Sequence, residues 1–241
     1  MRCDRLAGLR LTDEDGETHA LELLPPATEV EIRKLEAGLP APLPDEIRDA
    51  LRVTTGLANG PLESFSLLDL EGFGLEEAFP HPYSIAHDGY GNFWILDLLP
   101  GPGPWGPVFY ACHDPAVIAC QAESIETFLQ DVVAMWRPGQ TNPVARMHEE
   151  VVHRIWREHP DLLTPEEAAR RADLALAAFA ATLPVEARIA DLRNARPGQG
   201  FAWGRFGPRT ELRRAGRERL WALIPPASKP GLLRRLFGSS S

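Results

Sequence analysis

Hydrophobic and polar positions change their period several times along this chain. LRLT and HALELL alternate apolar and polar residues on either side of Asp13, Glu14, Asp15 and Gly16, the pattern of a hairpin around a turn. Pro25 and Pro26 break that pattern. Thr28 and Glu31 then stand at capping-box spacing, and Val30, Ile32, Leu35 and Leu39 supply an apolar face, which predicts a helix over 28–38. A second helix is predicted to begin at Pro44, suited to a first helical position, with Asp45 and Glu46 favoured by the helix dipole. Its apolar face is Ile47, Ala50 and Leu51, and it should stop before Gly56. From Phe65 to Cys120 the texture becomes short apolar runs between Gly, Pro, Asn and Asp: SFSLLDL, NFWILDL, GPVFYAC and AVIAC read as strands of an antiparallel sheet. The clearest periodicity follows. Ile125, Phe128, Leu129, Val132, Val133 and Trp136 form one helical stripe behind Ser124 as cap, and this helix should pack on the sheet and close a first domain.

Beyond it the pattern is looser. Residues 137–143 (RPGQTNP) read as a short polar linker, and 144–158 and 165–183 as helices, the latter capped by Thr164 with Glu166 and Glu167 in its first turn. GQGFAWGRFG is a loop or an edge strand. TELRR and RLWALIP flank Ala215 and Gly216 and fit either a second small hairpin or an amphipathic helix, and the Ser-rich end should fray. The expected architecture is therefore α+β. An antiparallel or mixed sheet flanked by helices occupies 1–136, and a mainly helical region with a possible small hairpin and a basic tail occupies 144–241.

At 241 residues the chain can bury a core without disulfides or metals, and 44% apolar and 24% charged residues with mean hydropathy −0.20 are those of a soluble globular protein. The longest apolar stretch, 174–183, falls far short of the roughly 20 residues that span a bilayer, and the first residues lack the apolar core of a signal peptide. A cytoplasmic location without membrane contact is the expectation. Three cysteines, Cys3, Cys112 and Cys120, without CxxC spacing, argue against a disulfide framework or a zinc cage. Charge changes the picture more. The net charge of −9 is distributed as −16 over residues 1–136, −1 over 137–190 and +8 over 191–241, and residues 53–136 contain 11 carboxylates and no Lys or Arg. Such a surface repels nucleic acid and attracts cations or a basic protein, unless the basic tail folds back and neutralises it.

Most motifs that suggest chemistry fail on physical grounds. GPGPWG at 101–106 matches GxGxxG, but its prolines delete N–H donors and a strand, not a helix, follows. HEEVVH at 148–153 resembles HExxH with one residue too many. At ~100° per residue an i, i+5 pair lies about 140° apart around an α-helix, so a solvated face with a Glu149–His153 contact is the favoured reading. Asp88, Gly89, Tyr90, Gly91 and Asn92 lack the third-position ligand and closing Glu of a calcium loop and make a good tight turn. No GxSxG elbow is present, and Cys112 and His113, as neighbours in a strand, point to opposite faces. Trp94, Trp105, Phe109 and Tyr110 read as core. No cofactor or metal is expected.

Taken in order, the runs LPAPLPDEIRDALRVTTGLANGPLESFSLLDL, PHPYSIAHDGYGNFWILDL and GPVFYACHDPAVIACQAESIETFLQDVV resemble the SUKH superfamily, whose namesake branch is the Smi-one/Knr-four family of fungal cell-wall-synthesis regulators. The resemblance covers roughly residues 21–136. It implies an α+β fold without known catalytic activity. Bacterial members resemble immunity proteins that neutralise a cognate toxin, often a nuclease, by binding it, and fungal members resemble scaffolds for signalling partners. The signature residues Leu43, Pro44, Gly60, Asp88, Gly89, Gly91 and Asn92 are largely explained by fold, and no role transfers onto 137–241. The leading expectation is thus a non-catalytic protein-binding module of the immunity type. Its acidic face, represented by Glu63, Asp69, Glu71, Glu76, Glu77, Asp88, Tyr90 and Asp114, would engage a basic protein such as a toxin domain or signalling partner. A regulatory scaffold is the alternative, and a hydrolytic enzyme a distant third, since no acid, base and nucleophile converge.

Overall fold

The structure is a computed structural model that describes residues 6, 8–12, 16–59, 62–68, 74–101, 105–135, 141–160 and 162–226. The chain opens with the antiparallel pair β1 (Arg10–Thr12) and β2 (Thr18–Ala20), whose intervening acidic residues 13–15 lie outside the described set. Helix α1 (Glu29–Gly38) begins at Thr28, whose hydroxyl accepts from the Glu31 N–H while the Glu31 carboxylate accepts from the Thr28 N–H. Ile32 and Leu35 are buried, but Val30 points to solvent. Pro44 is the cap of α2 (Asp45–Leu51) and not its first residue, and Ile47, Ala50 and Leu51 face inward.

Six strands follow: β3 (Gly56–Leu57), β4 (Ser64–Ser66), β5 (Pro82–His87), β6 (Phe93–Asp97), β7 (Val108–His113) and β8 (Ala116–Ala122). They make an antiparallel meander. Helix α3 (Ile125–Ala134), capped by Ser124, lays Ile125, Phe128, Leu129, Val132 and Val133 on one face of it. Phe128 meets Trp94 and Phe65 at ring separations of 5.9 and 6.3 Å. Trp136, the last residue of the predicted stripe, lies outside the described residues.

The chain after 140 continues as α4 (Pro143–Arg146), a π-helical segment (Met147–Val152), α5 (His153–Glu158), β9 (Leu162–Leu163), α6 (Pro165–Ala169), α7 (Leu174–Ala180), β10 (Arg188–Asp191), β11 (Gly200–Ala202), β12 (Glu211–Arg214) and β13 (Leu220–Ile224). Two helices replace the single one predicted over 165–183. The break falls where Asp173 leaves the helix to cap α7, accepting from the Leu176 N–H, and is held there by Arg193, which also grips Asp191. The hairpin alternative for TELRR and RLWALIP is the one realised, as β12 and β13 in a four-stranded sheet of order β12-β13-β10-β9. GQGFAWGRFG supplies an edge strand. It is β11, which pairs with β8 and extends the meander to seven strands in the order β11-β8-β7-β6-β5-β4-β3.

The seven-stranded sheet is therefore buried on both faces. Trp94, Leu96, Val108 and Tyr110 join the α3 core, while the alternate residues Ile95, Phe109, Ala111, Ile118 and Cys120 pack with Phe79, Phe201 and Trp221 of the second layer. Two-sided burial accounts for the unbroken apolar runs in β6 and β7. Asp97 shares the face of Ile95 and meets the tail. Both Arg214 nitrogens fork onto its carboxylate at 2.7 Å, and Arg219 Nε donates to it at 2.9 Å, with Asp97 1% and Arg214 4% exposed. Among the described residues, the ion pairs between the tail arginines and the cation-free span all end on Asp97.

Arg214→Met should cost ~3–5 kcal/mol, because it leaves a buried carboxylate short of its main partner, and the loss should persist in high salt, since a buried pair is screened little. Urea melts at two ionic strengths check this; a loss that vanishes with salt would mean the pair is exposed. Phe128→Ala should likewise cost ~3–5 kcal/mol by the same measurement. Deleting residues 191–241 removes β11 and both partners of Asp97, so the remaining chain should lose cooperative unfolding.

Candidate functional site

A hairpin turn, a helix end and a π-helical segment converge at one end of the sheet. The turn joins β5 to β6. Asp88 Oδ1 accepts from the backbone N–H of Tyr90 (2.9 Å) and Asn92 (3.2 Å), and its Oδ2 accepts from Asn92 Nδ2 at 2.6 Å. Gly89 and Gly91 hold φ of 77° and 88°, in the left-handed region that only glycine enters freely. Asn92, buried, accepts the His113 N–H through its own side-chain oxygen at 3.1 Å and so ties this turn to the end of β7. Asp88 is committed to the turn, while Tyr90 stands 83% exposed at its tip.

Beneath the turn lies an open cleft of about 660 Å³. Trp94 and Tyr110 form its floor, with ring centroids 4.9 Å apart, and Trp94 Nε1 donates to Gln121. Leu62 and Glu63 form one wall, and His113 and Asp114 a second. The third comes from Met135, Val144, Ala145, His148 and Glu149, most of them beyond residue 143. Asn142 anchors this wall by donating from Nδ2 to the Asp131 carbonyl and capping α4. Four carboxylates, Glu63, Asp88, Asp114 and Glu149, line the cleft, and no Lys or Arg stands among its described lining residues.

The expected acidic face is thus divided. Glu63, Asp88, Tyr90 and Asp114 come together here. Glu76 and Glu77 are exposed but sit in the turn before Ala78 and Phe79, which pack against the opposite face of the sheet. Asp69, Glu71 and Gly60 lie outside the described residues. Leu43 is core and Pro44 caps α2, so both are accounted for by packing.

The sequence does not mark His148 and Glu149 as site residues, because α-helical geometry at HEEVVH would turn its two histidines apart. The 147–152 segment is π-helical, and an i→i+5 turn brings residues five apart into register. The His148 and His153 rings accordingly lie 6.2 Å apart on one side, with His148 edge-on to Tyr110 at 6.3 Å. The helix-face ion pair that forms joins Arg146 to Glu150, in place of the expected Glu149–His153 contact. Among the described residues, no group of three or more His, Cys, Asp or Glu is placed to hold one metal ion.

Tyr110 of the floor and its near neighbour in β7, the buried Cys112, are neutral at pH 7. Burial, followed by the charges of Cys112 and Asp88, pushes the Tyr110 phenol well above its ordinary range. Burial also raises the Cys112 thiol to about 11, leaving little thiolate for nucleophilic attack at neutral pH. What the arrangement offers is recognition: an aromatic floor, a carboxylate rim and one exposed tyrosine.

Residues 26–131 match the model of the SMI1 / KNR4 family (SUKH-1). The match ends before α4, so Val144, Ala145, His148 and Glu149 of the third wall lie beyond it. Comparison with curated proteins finds no match, and comparison with solved structures finds none. No described helix is long and apolar enough to cross a membrane.

Gly91→Val should destabilise the protein by ~1 kcal/mol or more through left-handed strain, and it should displace His113, whose Nδ1 would lie 3.3 Å from the new Cβ. An unchanged urea midpoint together with an unchanged His113 ring resonance would show that the turn tolerates a side chain.

Proposed function

We propose that the chain is a non-catalytic binding module of the immunity type, and that it neutralises a basic toxin domain by receiving cationic side chains of that protein in the cleft under residues 88–92. One observation carries this reading: four carboxylates and an 83%-exposed tyrosine share an open cleft with no Lys or Arg among its described lining residues. A guanidinium or ammonium group entering it meets compensating charge from three walls, and the rings of Trp94 and Tyr110 suit the stem or face of such a side chain. Tyr90 has the chemistry of an interface anchor, a large amphipathic side chain on a turn whose backbone Asp88 holds. The match of residues 26–131 to the SMI1 / KNR4 family model agrees with a binding role.

The test uses the full chain as bait for a basic partner, with association followed at several ionic strengths. The on-rate should fall ~10-fold or more between low and physiological salt, as the Debye length drops from ~30 to ~8 Å. Reversing Glu63, Asp114 and Glu149 to Lys should slow association strongly, and Tyr90→Ala should mainly speed dissociation. Reversal of Glu76 and Glu77, on the other side of the sheet, should change the rate less than the cleft variant does. A partner whose on-rate ignores salt and all three cleft reversals would sink the proposal.

A further inference from the structure

The second layer contains a cationic group whose hydrogen bonds are incomplete. Arg205, in the loop after β11, is half-buried, and its Nε and Nη1 are both sealed from solvent without an acceptor. Its ring contact is with Phe206, at 5.6 Å from guanidinium carbon to centroid, which supplies no hydrogen-bond oxygen. His159, the left-handed cap of α5 at φ 47°, also has a buried Nδ1 without a partner. These groups share a neighbourhood. A Cβ on Gly204, the residue before Arg205, would lie 3.7 Å from the Trp156 indole, and the Trp156 and His159 rings are 6.4 Å apart in an edge-on arrangement.

Electrostatics point the same way. His159 is held below its ordinary pKa by desolvation and then by the Arg205 charge, and Arg205 is lowered by desolvation and then by Arg188, at the start of β10. Other buried donors lacking acceptors, Ser84 Oγ, Trp105 Nε1 and Gln121 Nε2, are neutral. Arg205 differs from them because a desolvated charge with two unmet N–H groups is far more costly than an unmet neutral donor. An oxyanion removes all these penalties at once: it accepts from the guanidinium, screens the repulsion between the arginines and restores a partner to the imidazole. Net charge of +5 over the described residues 191–226, with 8 Arg against 3 Asp and Glu, favours anions in this part of the chain.

We infer that Arg205 and His159, backed by Arg188, form an oxyanion-binding site that takes a carboxylate or phosphate group. The site is independent of the cleft and opposite to it in sign. It gives the region beyond the family match a recognition chemistry of its own.

Inorganic phosphate and acetate, titrated separately into the full chain at constant ionic strength with chloride as the balancing ion, test it. The Arg205 Nε–H resonance should shift saturably, Trp156 fluorescence should follow the same curve, and the titration midpoint of the His159 ring should rise when the anion is bound. Saturation by phosphate alone assigns a phosphoryl ligand, and saturation by acetate assigns a carboxylate. Arg205→Lys should weaken binding by about tenfold or more, and Arg205→Gln should abolish it. Linear, unsaturable shifts with both anions in the unmodified protein would overturn the inference whether or not the variants fold, as would saturable binding that survives Arg205→Gln.

Discussion

The carboxylate of Asp97 is the constraint on which the architecture turns. A lone charge in that position would be prohibitive, so the chain folds only in arrangements that bring cations to it. Arg214 and Arg219 come from the strands and turn of the β12–β13 hairpin, more than a hundred residues away, and Arg214 also donates to the Ala78 carbonyl while lying over the Trp221 ring at 5.1 Å. Trp221 Nε1 donates to the same carbonyl. Gly106 leaves the space for Arg219, since any Cβ there would sit 2.5 Å from its Nη2. The pairing fixes the second layer in position and register on the first, a precision that apolar burial alone does not impose.

The legible parts of the sequence were those governed by local chemistry. The capping box at Thr28, the cap at Thr164, the α3 stripe from Ile125 to Val133 and the glycine-rich turn at 88–92 each depend on residues a few positions apart, and each forms as its spacing implies. The unforeseen features depend on distance. The strand β5 in PYSIAH has no flanking alternation to mark it, and a second layer was signalled only indirectly, by apolar runs too continuous for a sheet with one wet face. Of the expected acidic face, Glu63, Asp88, Tyr90 and Asp114 line one cleft because they flank short turns, whereas Glu76 and Glu77 precede Ala78 and Phe79, which pack on the opposite face of the sheet.

The π-helical segment was the most instructive departure. HEEVVH was discounted by a rotation of 100° per residue, and that number does not hold where the hydrogen bonds run i→i+5. The wider turn carries His148 and Glu149 to the cleft while Val152 and Ile155 remain in the core. The family match is therefore confined to residues 26–131, but the cleft is not: its third wall is built largely by chain beyond them.

The late strand at the sheet edge has a consequence for synthesis. β8 emerges from the ribosome with one side hydrogen-bonded to β7 and the other open, and its partner β11 lies 80 residues further on, counting from Ala122 to Ala202. At ~5–20 residues per second, an apolar edge bearing Val117, Ile118 and Cys120 stays unpaired for about 4–16 seconds in each nascent chain. For that interval the protein presents a template for strand addition by a neighbouring chain on the same polysome, and the final fold withdraws it only when the seventh strand arrives.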